Sequence, residues 1–79
     1  MPHYRFTIYD DQSAPDNVGA MALPDDDSAW EFGEAMIRDL LAGDAGKYET
    51  WTMEITEGNR IVASIAFNLK DLQHRRTLQ

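Results

Sequence analysis

A single amphipathic helix is the longest periodic pattern in this 79-residue chain, and it limits the folds that the chain can adopt. After Pro24, apolar residues recur every three or four positions as far as Leu41, as they do on one side of a helix. The other patterned segments alternate between apolar and polar residues, which is typical of strands. Because one helix has one apolar stripe, it covers one face of a sheet. We therefore expect an α+β fold, a two-layer sandwich whose second sheet face is open.

The helix begins in the sequence LPDDDSAW, whose run of aspartates also resembles a metal-binding motif. Asp25 is a suitable N-cap, and Asp26 and Asp27 fall in the first turn, where negative charge meets free backbone N–H groups. Ser28 and Glu31 offer an alternative capping box. A calcium loop needs acids at alternating positions and a late glutamate, which this stretch lacks. We expect a helix start here, with no metal and no cofactor bound.

Four segments have the alternation of strands: residues 3–9, 18–23, 48–56 and 60–67. Residues 10–17 are rich in turn formers and are expected to form a loop. The ββαββ order predicts a four-stranded, mainly antiparallel sheet. We expect the last strand to be central because its second face carries small residues, and placing it beside the first strand gives a β-grasp-like order. A fully antiparallel sheet is the alternative.

The turn between the last two strands is predicted from the register that it imposes. A two-residue loop at Gly58 and Asn59 places the apolar residues of the last strand opposite threonines. A three-residue loop starting at Glu57 pairs Ile55 with Ile61 and gathers the large apolar groups on one face. The longer loop, with Asn59 in a left-handed conformation, is therefore predicted.

The predicted core joins the helix stripe to the apolar face of the strands. Gly33 lies in the middle of the stripe, where glycine costs about 1 kcal/mol relative to alanine, so we expect a large ring, that of Trp51, to pack closely over it. Gly43 and Gly46 are expected to end the helix. The predicted core consists of Tyr4, Phe6, Ile8, Trp30, Gly33, Met36, Ile37, Leu40, Trp51, Met53, Ile55, Ile61, Ile65 and Phe67.

The sheet face opposite the helix is the candidate interaction surface. It is polar and rich in threonine, with a small apolar strip, and such a face is either solvated or a shallow platform for binding or dimerisation. Its predicted members are His3, Arg5, Thr7, Tyr9, Thr50, Thr52, Glu54, Thr56, Val62, Ser64 and Ala66.

Composition narrows the possible functions. The net charge of −7 opposes broad binding to nucleic acids or anionic membranes. The chain has no cysteine, and its two histidines, His3 and His74, lie at opposite ends, so no metal core and no serine–histidine pair is expected. We predict a non-enzymatic interaction domain without catalytic, cofactor or metal residues. The alternatives are weak nucleic-acid binding, through Arg5 and Tyr9 or the basic tail, and a regulatory, antitoxin-like role.

The chain is predicted to form one domain over residues 1–68, followed by a tail, residues 69–79, that is either a short helix or disordered. A domain of this size has a small core, which favours self-association, so the expected partner is a second copy in a homodimer or another protein. The first residues contain no apolar run of the kind found in signal peptides or membrane spans. We therefore expect a cytoplasmic protein with no membrane partner.

Three stretches, MPHYRFTIYDD, LPDDDSAW and GNRIVASIAF, resemble an uncharacterised family of short proteobacterial proteins common in rhizobia. Members of that family have an MPxYxFxxxD start, then GxxLPD, an alanine-rich helix, and a hairpin that ends in an apolar strand and phenylalanine. The resemblance covers about residues 1–68. It implies a bacterial source and a domain of unknown function. It implies no activity, cofactor or partner, and it carries no site residues over to this chain.

Overall fold

The computed structural model describes residues 1–68, so the expectations for residues 69–79 fall outside the described part of the chain. The described residues form a four-stranded sheet in the order β2-β1-β3-β4, in which all neighbouring strands are antiparallel, with one helix. The predicted ββαββ order and α+β class are confirmed. The elements are β1 (His3–Asp10), β2 (Ser13–Ala22), α1 (Asp26–Tyr48), β3 (Thr52–Glu57) and β4 (Arg60–Ala66).

The strand order differs from the β-grasp-like expectation. β1 and β3 are the central strands, while β4 lies at an edge, so the prediction that the last strand is central and lies beside the first is wrong. The fully antiparallel alternative is correct. β1 is central because it pairs with β2 on one side and with β3 on the other, and its Tyr4, Phe6 and Ile8 side chains are buried. β2 is also longer than expected, because the segment from Ser13 predicted as a loop pairs with β1.

The aspartate run forms the start of α1, as predicted. Asp25 has an extended backbone (φ −158°, ψ 175°), and its carboxylate accepts a hydrogen bond from the Ser28 backbone N–H at 2.8 Å. Asp26 and Asp27 lie in the first turn. The sequence pattern of the triplet thus has a structural cause, since an N-cap satisfies a backbone donor that the helix leaves unpaired.

The C-terminal end of α1 differs from the prediction. The first helical segment ends at Gly43, as predicted, but α1 resumes after Asp44 and continues past Gly46 to Tyr48. It is interrupted at Asp44 (φ −159°, ψ 80°), whose carboxylate accepts a hydrogen bond from the Lys47 backbone N–H at 3.1 Å. Asp44 therefore caps a last helical turn in the same way as Asp25 caps the first.

Gly33 marks the closest approach of α1 to the sheet. A Cβ atom at this position would lie 2.9 Å from Ile55 Cδ1 and 3.0 Å from Met53 Sδ. The predicted close packing is therefore present, but the prediction that Trp51 packs over the glycine is wrong. Trp51 precedes β3 and its ring instead packs edge-on against Tyr48, with ring centroids 5.7 Å apart.

The core lies between α1 and one sheet face. Of the predicted core, Trp30, Met36, Leu40 and Trp51 are half-buried. The prediction that Ile61 belongs to the core is wrong, because 63% of this residue is exposed to solvent. Glu34, expected on the polar side of the helix, is only 2% exposed, and its Oε2 lies 3.6 Å from Arg38 Nη2. The buried apolar residues are Tyr4, Phe6, Ile8, Ala29, Ile37, Met53, Ile55, Ile65 and Phe67.

The β3–β4 turn has two residues, not the predicted three. Glu57 pairs with Arg60, so Gly58 and Asn59 form the loop. Gly58 has a φ of 60°, as glycine does at the first central position of a type II′ turn, whereas no residue other than glycine in the described chain has positive φ. The left-handed residue is thus Gly58, which has no Cβ to clash, and the expectation for Asn59 is wrong.

A two-residue turn by itself would place the apolar residues of β4 opposite threonines, and a bulge at Val62 corrects this for the end of the strand. Ile61 pairs with Thr56 and Ala63 pairs with Ile55, so Val62 has no partner on β3. This extra residue shifts the rest of β4 by one position, which places Ile65 opposite Met53 on the helix side. The bulge therefore buries the end of β4 and leaves Ile61 on the opposite face.

Candidate interaction surface

The sheet face opposite α1 is built from cross-strand rows. Residues that pair directly across antiparallel strands point to the same face of the sheet. Alternate residues of β1 are buried under the helix, so the remaining residues of β1 and their partners form the opposite face. We call this face the open face. Its rows are Ala22 and His3; Ala20, Arg5, Thr56 and Ile61; Asn17, Thr7, Glu54 and Ser64; and Tyr9, Thr52 and Ala66.

Most residues predicted for the interaction surface lie on the open face. Two of them do not belong to a row. Thr50 precedes β3 and is exposed, and Val62 forms the bulge, where it is half-buried and packs against the core. Of the predicted residues in the rows, His3, Arg5, Ser64 and Ala66 are exposed, and Thr7, Tyr9, Thr52, Glu54 and Thr56 are half-buried.

Two contributions to the open face were not predicted from the sequence. The first comes from β2, where the alternating alanines Ala20 and Ala22 were the available signal. The second is Ile61, and it had no local signal because its face depends on the length of the turn and on the bulge. The open face therefore has an exposed apolar side chain at its β4 edge that the pattern alone assigned to the core.

The depression on the open face is shallow. It has a volume of about 230 Å³, below the 300–1,000 Å³ typical of small-molecule sites. It lies where β1 meets the β3–β4 turn, beside the exposed side chain of Arg5. This part of the face is suited to contact with a surface rather than to enclosure of a substrate. The lining residues are His3, Tyr4, Arg5, Ala20, Thr56 and Gly58.

A larger groove of about 920 Å³ lies on the helix side, between the second half of α1 and the end of β4. Asn68, the last described residue, forms part of its wall. Its charged side chains in the described chain are Arg38 and Glu49. The remaining lining residues are Leu41, Ala42, Ala45, Thr50, Phe67 and Asn68.

A cluster of polar side chains joins the helix start to the sheet, and the sequence analysis did not find it. The hydroxyl of Tyr4 donates a hydrogen bond to Asp26 Oδ1 at 2.8 Å. Arg60 Nη1 and Nη2 donate to Asp26 Oδ2 and Oδ1, both at 2.9 Å, and Nη2 also donates to Glu57 Oε1 at 2.7 Å. This bidentate pair fixes the β3–β4 turn to the N-terminus of α1.

The cluster changes the pKa values of its members. Hydrogen bonds from Arg60 and Tyr4 lower the pKa of Asp26 from 3.8 to about 2. Burial, followed by the hydrogen bond to Asp26, raises the pKa of Tyr4, and hydrogen bonds to Asp26 and Glu57 raise that of Arg60. The Arg60 and Asp26 side chains are 52% and 48% exposed, so the pair is a surface contact that contributes little stability by itself.

The described residues contain no group of three or more histidine, cysteine, aspartate or glutamate side chains arranged to hold a metal ion. Asp25, Asp26 and Asp27 therefore act separately, as a cap, an ion-pair partner and a first-turn residue. Within residues 1–68, α1 is not apolar enough over a sufficient length to span a membrane.

Comparison with models of known protein families identifies the family of this chain. A family model described as a domain of unknown function, DUF6894, matches residues 3–68. The chain belongs to this family. The match confirms the resemblance seen in the three sequence stretches and covers β1 through β4 of this DUF6894 domain. No curated protein and no solved structure matches the chain.

Proposed function

We propose that this DUF6894 domain is a small, non-enzymatic interaction domain of the bacterial cytoplasm that self-associates through the open face and the β4 edge beside it. The family supplies no activity, so the proposal is based on the geometry of the sheet. One helix covers one face, and the other face is continuous across all four strands. The absence of cysteine means that the fold needs no oxidising compartment.

The exposure of Ile61 is the observation that carries the proposal. A fully buried isoleucine contributes about 1.5–3 kcal/mol, and the observed turn leaves 63% of this one in solvent. The exposed side chain lies at the β4 end of a row that contains Arg5 and Thr56. A lone exposed apolar side chain is common on protein surfaces, so Ile61 carries weight because it adjoins an uncovered sheet face and an edge strand.

The open face is a poorer platform for nucleic acids. Arg5 and Tyr9 lie on it, with Thr7 between them along β1, and an aromatic ring can stack on a base. However, Glu54 lies on the same face and the chain carries a net charge of −7, which opposes contact with phosphates. A protein surface is therefore the better partner.

The proposal is tested by measuring self-association of the full chain. We expect light scattering coupled to size exclusion to show a monomer–dimer equilibrium between micromolar and millimolar concentrations. Ile61→Thr should raise the dimer dissociation constant at least tenfold, because it removes exposed apolar surface from the contact. Its effect on folding should be small, since surface substitutions usually change stability by less than about 0.5 kcal/mol.

Met21→Thr is the matched control. Met21 is also an exposed large apolar residue, at 40%, but it pairs with Tyr4 and so lies on the helix side of the opposite edge strand, β2. This variant should dimerise as the wild type does. A chain that is monomeric at every concentration, or an equal effect of the two substitutions, contradicts the proposal.

A further inference from the structure

The two edge strands of the sheet differ in how well they could accept another strand. β2 contains Pro15 and Asp16, and its register with β1 is broken between Phe6 and Thr7 and again between Ile8 and Asp10. Proline, charge and bulges are the features that keep an edge strand from pairing with another chain. β2 is therefore a protected edge.

β4 lacks most of these protective features. Its residues 61–66 read IVASIA and contain no proline and no charged side chain, in a chain that is 27% charged and carries a net charge of −7. Two copies of an acidic chain repel each other, and that repulsion is weakest where neither copy presents charge. The one irregularity in β4, the bulge at Val62, lies near its start, which leaves the second half regular.

The backbone of this second half is oriented for pairing. Phe67 donates its N–H to the Trp51 carbonyl at 3.0 Å, so the backbone groups of Phe67 point towards β3. Because these groups alternate in direction along an antiparallel strand, those of Ile65 also point inward and those of Ser64 point outward. The Ala66 carbonyl accepts a hydrogen bond from Asn68 at 2.8 Å, which leaves Ser64 as the centre of the outward-facing segment.

Building on the proposed self-association, we propose that two copies of the chain pair antiparallel through β4, with the two Ser64 residues next to the twofold axis. The four-stranded sheets then join into one continuous sheet. The contact is isologous, so each strand supplies the donors and acceptors that the other needs. A twofold axis perpendicular to the sheet places both helices on the same side and leaves the open faces continuous, with Ile61 beside the end of the partner strand.

Ser64→Cys tests the pairing directly, because the chain has no other cysteine and any disulfide must join two copies. Hydrogen-bonded residues opposite each other in antiparallel strands have Cα atoms about 5.5 Å apart, within the range of a disulfide. Under mild oxidation we expect this variant to form a covalent dimer at least tenfold faster than Arg5→Cys. Arg5 is exposed on the same face but lies on a central strand.

The outcomes separate this inference from the proposed function. Preferential cross-linking of Arg5→Cys in a chain that dimerises shows face-to-face packing, which overturns the β4 pairing and leaves self-association intact. Equal rates for the two variants also overturn the β4 pairing. A wild-type chain that is monomeric at millimolar concentration overturns both proposals.

Ser64→Pro provides a second, independent measurement. Proline removes the outward N–H of Ser64, which the β3–β4 ladder does not use, so the monomer should keep its far-ultraviolet circular dichroism spectrum. We expect the dimer dissociation constant to rise at least tenfold. A folded Ser64→Pro variant that dimerises as tightly as the wild type overturns the pairing; if the variant fails to fold, the cysteine pair remains decisive.

Discussion

Replacing Gly33 by alanine tests the close contact between α1 and the sheet. Alanine favours a helix interior over glycine by about 1 kcal/mol, so an uncrowded site would be stabilised. At Gly33 the new Cβ would lie 2.9 Å from Ile55 Cδ1, closer than real Cβ atoms come, and 3.0 Å from Met53 Sδ, at the tight end of real contacts. Both side chains are fully buried, which restricts their movement, and overpacking of this kind costs about 1–3 kcal/mol. The net expectation is a destabilisation of up to about 2 kcal/mol.

The measurement is urea unfolding followed by circular dichroism at one fixed protein concentration, with Gly43→Ala as the matched control. Gly43 is the last residue of the same helix before the interruption at Asp44, and a Cβ there would meet nothing within 4 Å. This control should be stabilised by up to about 1 kcal/mol, which corresponds to a rise in Tm of about 4–8 °C for a domain of this size. If Gly33→Ala is as stable as Gly43→Ala, the close approach of the helix is refuted.

A double substitution shows whether Ile55 causes the crowding. Ile55→Val removes the Cδ1 atom that lies nearest to the added Cβ, and by itself it should cost about 0.5–1.5 kcal/mol. Combined with Gly33→Ala, the loss should be smaller than the sum of the two single losses by about 1 kcal/mol, because contacting residues are coupled. Additive losses would mean that the helix moves as a whole instead.

Further predictions concern the ion-pair cluster and the turn. The pKa of Asp26 is lowered to about 2 in the folded chain, so its contribution to stability is present above its unfolded pKa, near 3.8, and is lost as pH falls towards 2. Acid titration of Asp26→Asn should lack this part of the pH dependence, and an unchanged acid transition would contradict it. Gly58→Ala should lower the free energy of unfolding by about 1–2 kcal/mol, measured by urea unfolding, because Gly58 has a φ of 60°, which alanine rarely adopts. An added Cβ would meet no neighbour, so the loss comes from the backbone conformation alone. Asn59→Gly, the control, should bring no comparable change in stability, since Asn59 does not adopt positive φ.

The predictions that succeeded depended on residues close together in the sequence. The alternation of Tyr4, Phe6 and Ile8 identified β1 and its buried side, because a strand turns successive side chains to opposite faces. Asp25 was recognised as the N-cap because its carboxylate needs to reach only the Ser28 amide, three residues away.

The predictions that failed depended on which distant segments meet. The Asp26–Arg60 pair joins residues 34 positions apart, and no local pattern specifies it. Trp51 was predicted to pack over Gly33, but the register of β3 under the helix places Ile55 and Met53 there. The strand order likewise depended on which strands pair with β1, and the small residues of β4 gave no indication of that pairing.

Ile61 illustrates the division most clearly. The alternation of apolar and polar residues over 60–67 was enough to predict a strand there, because backbone geometry imposes a period of two. That a two-residue turn and a bulge at Val62 bury Ile65 and expose Ile61 follows from the pairing of β4 with β3 in the folded sheet. A register with a three-residue turn would bury Ile61 instead, and the alternation within residues 60–67 does not rank the two. The choice among them therefore depends on contacts made by the whole sheet and the helix together.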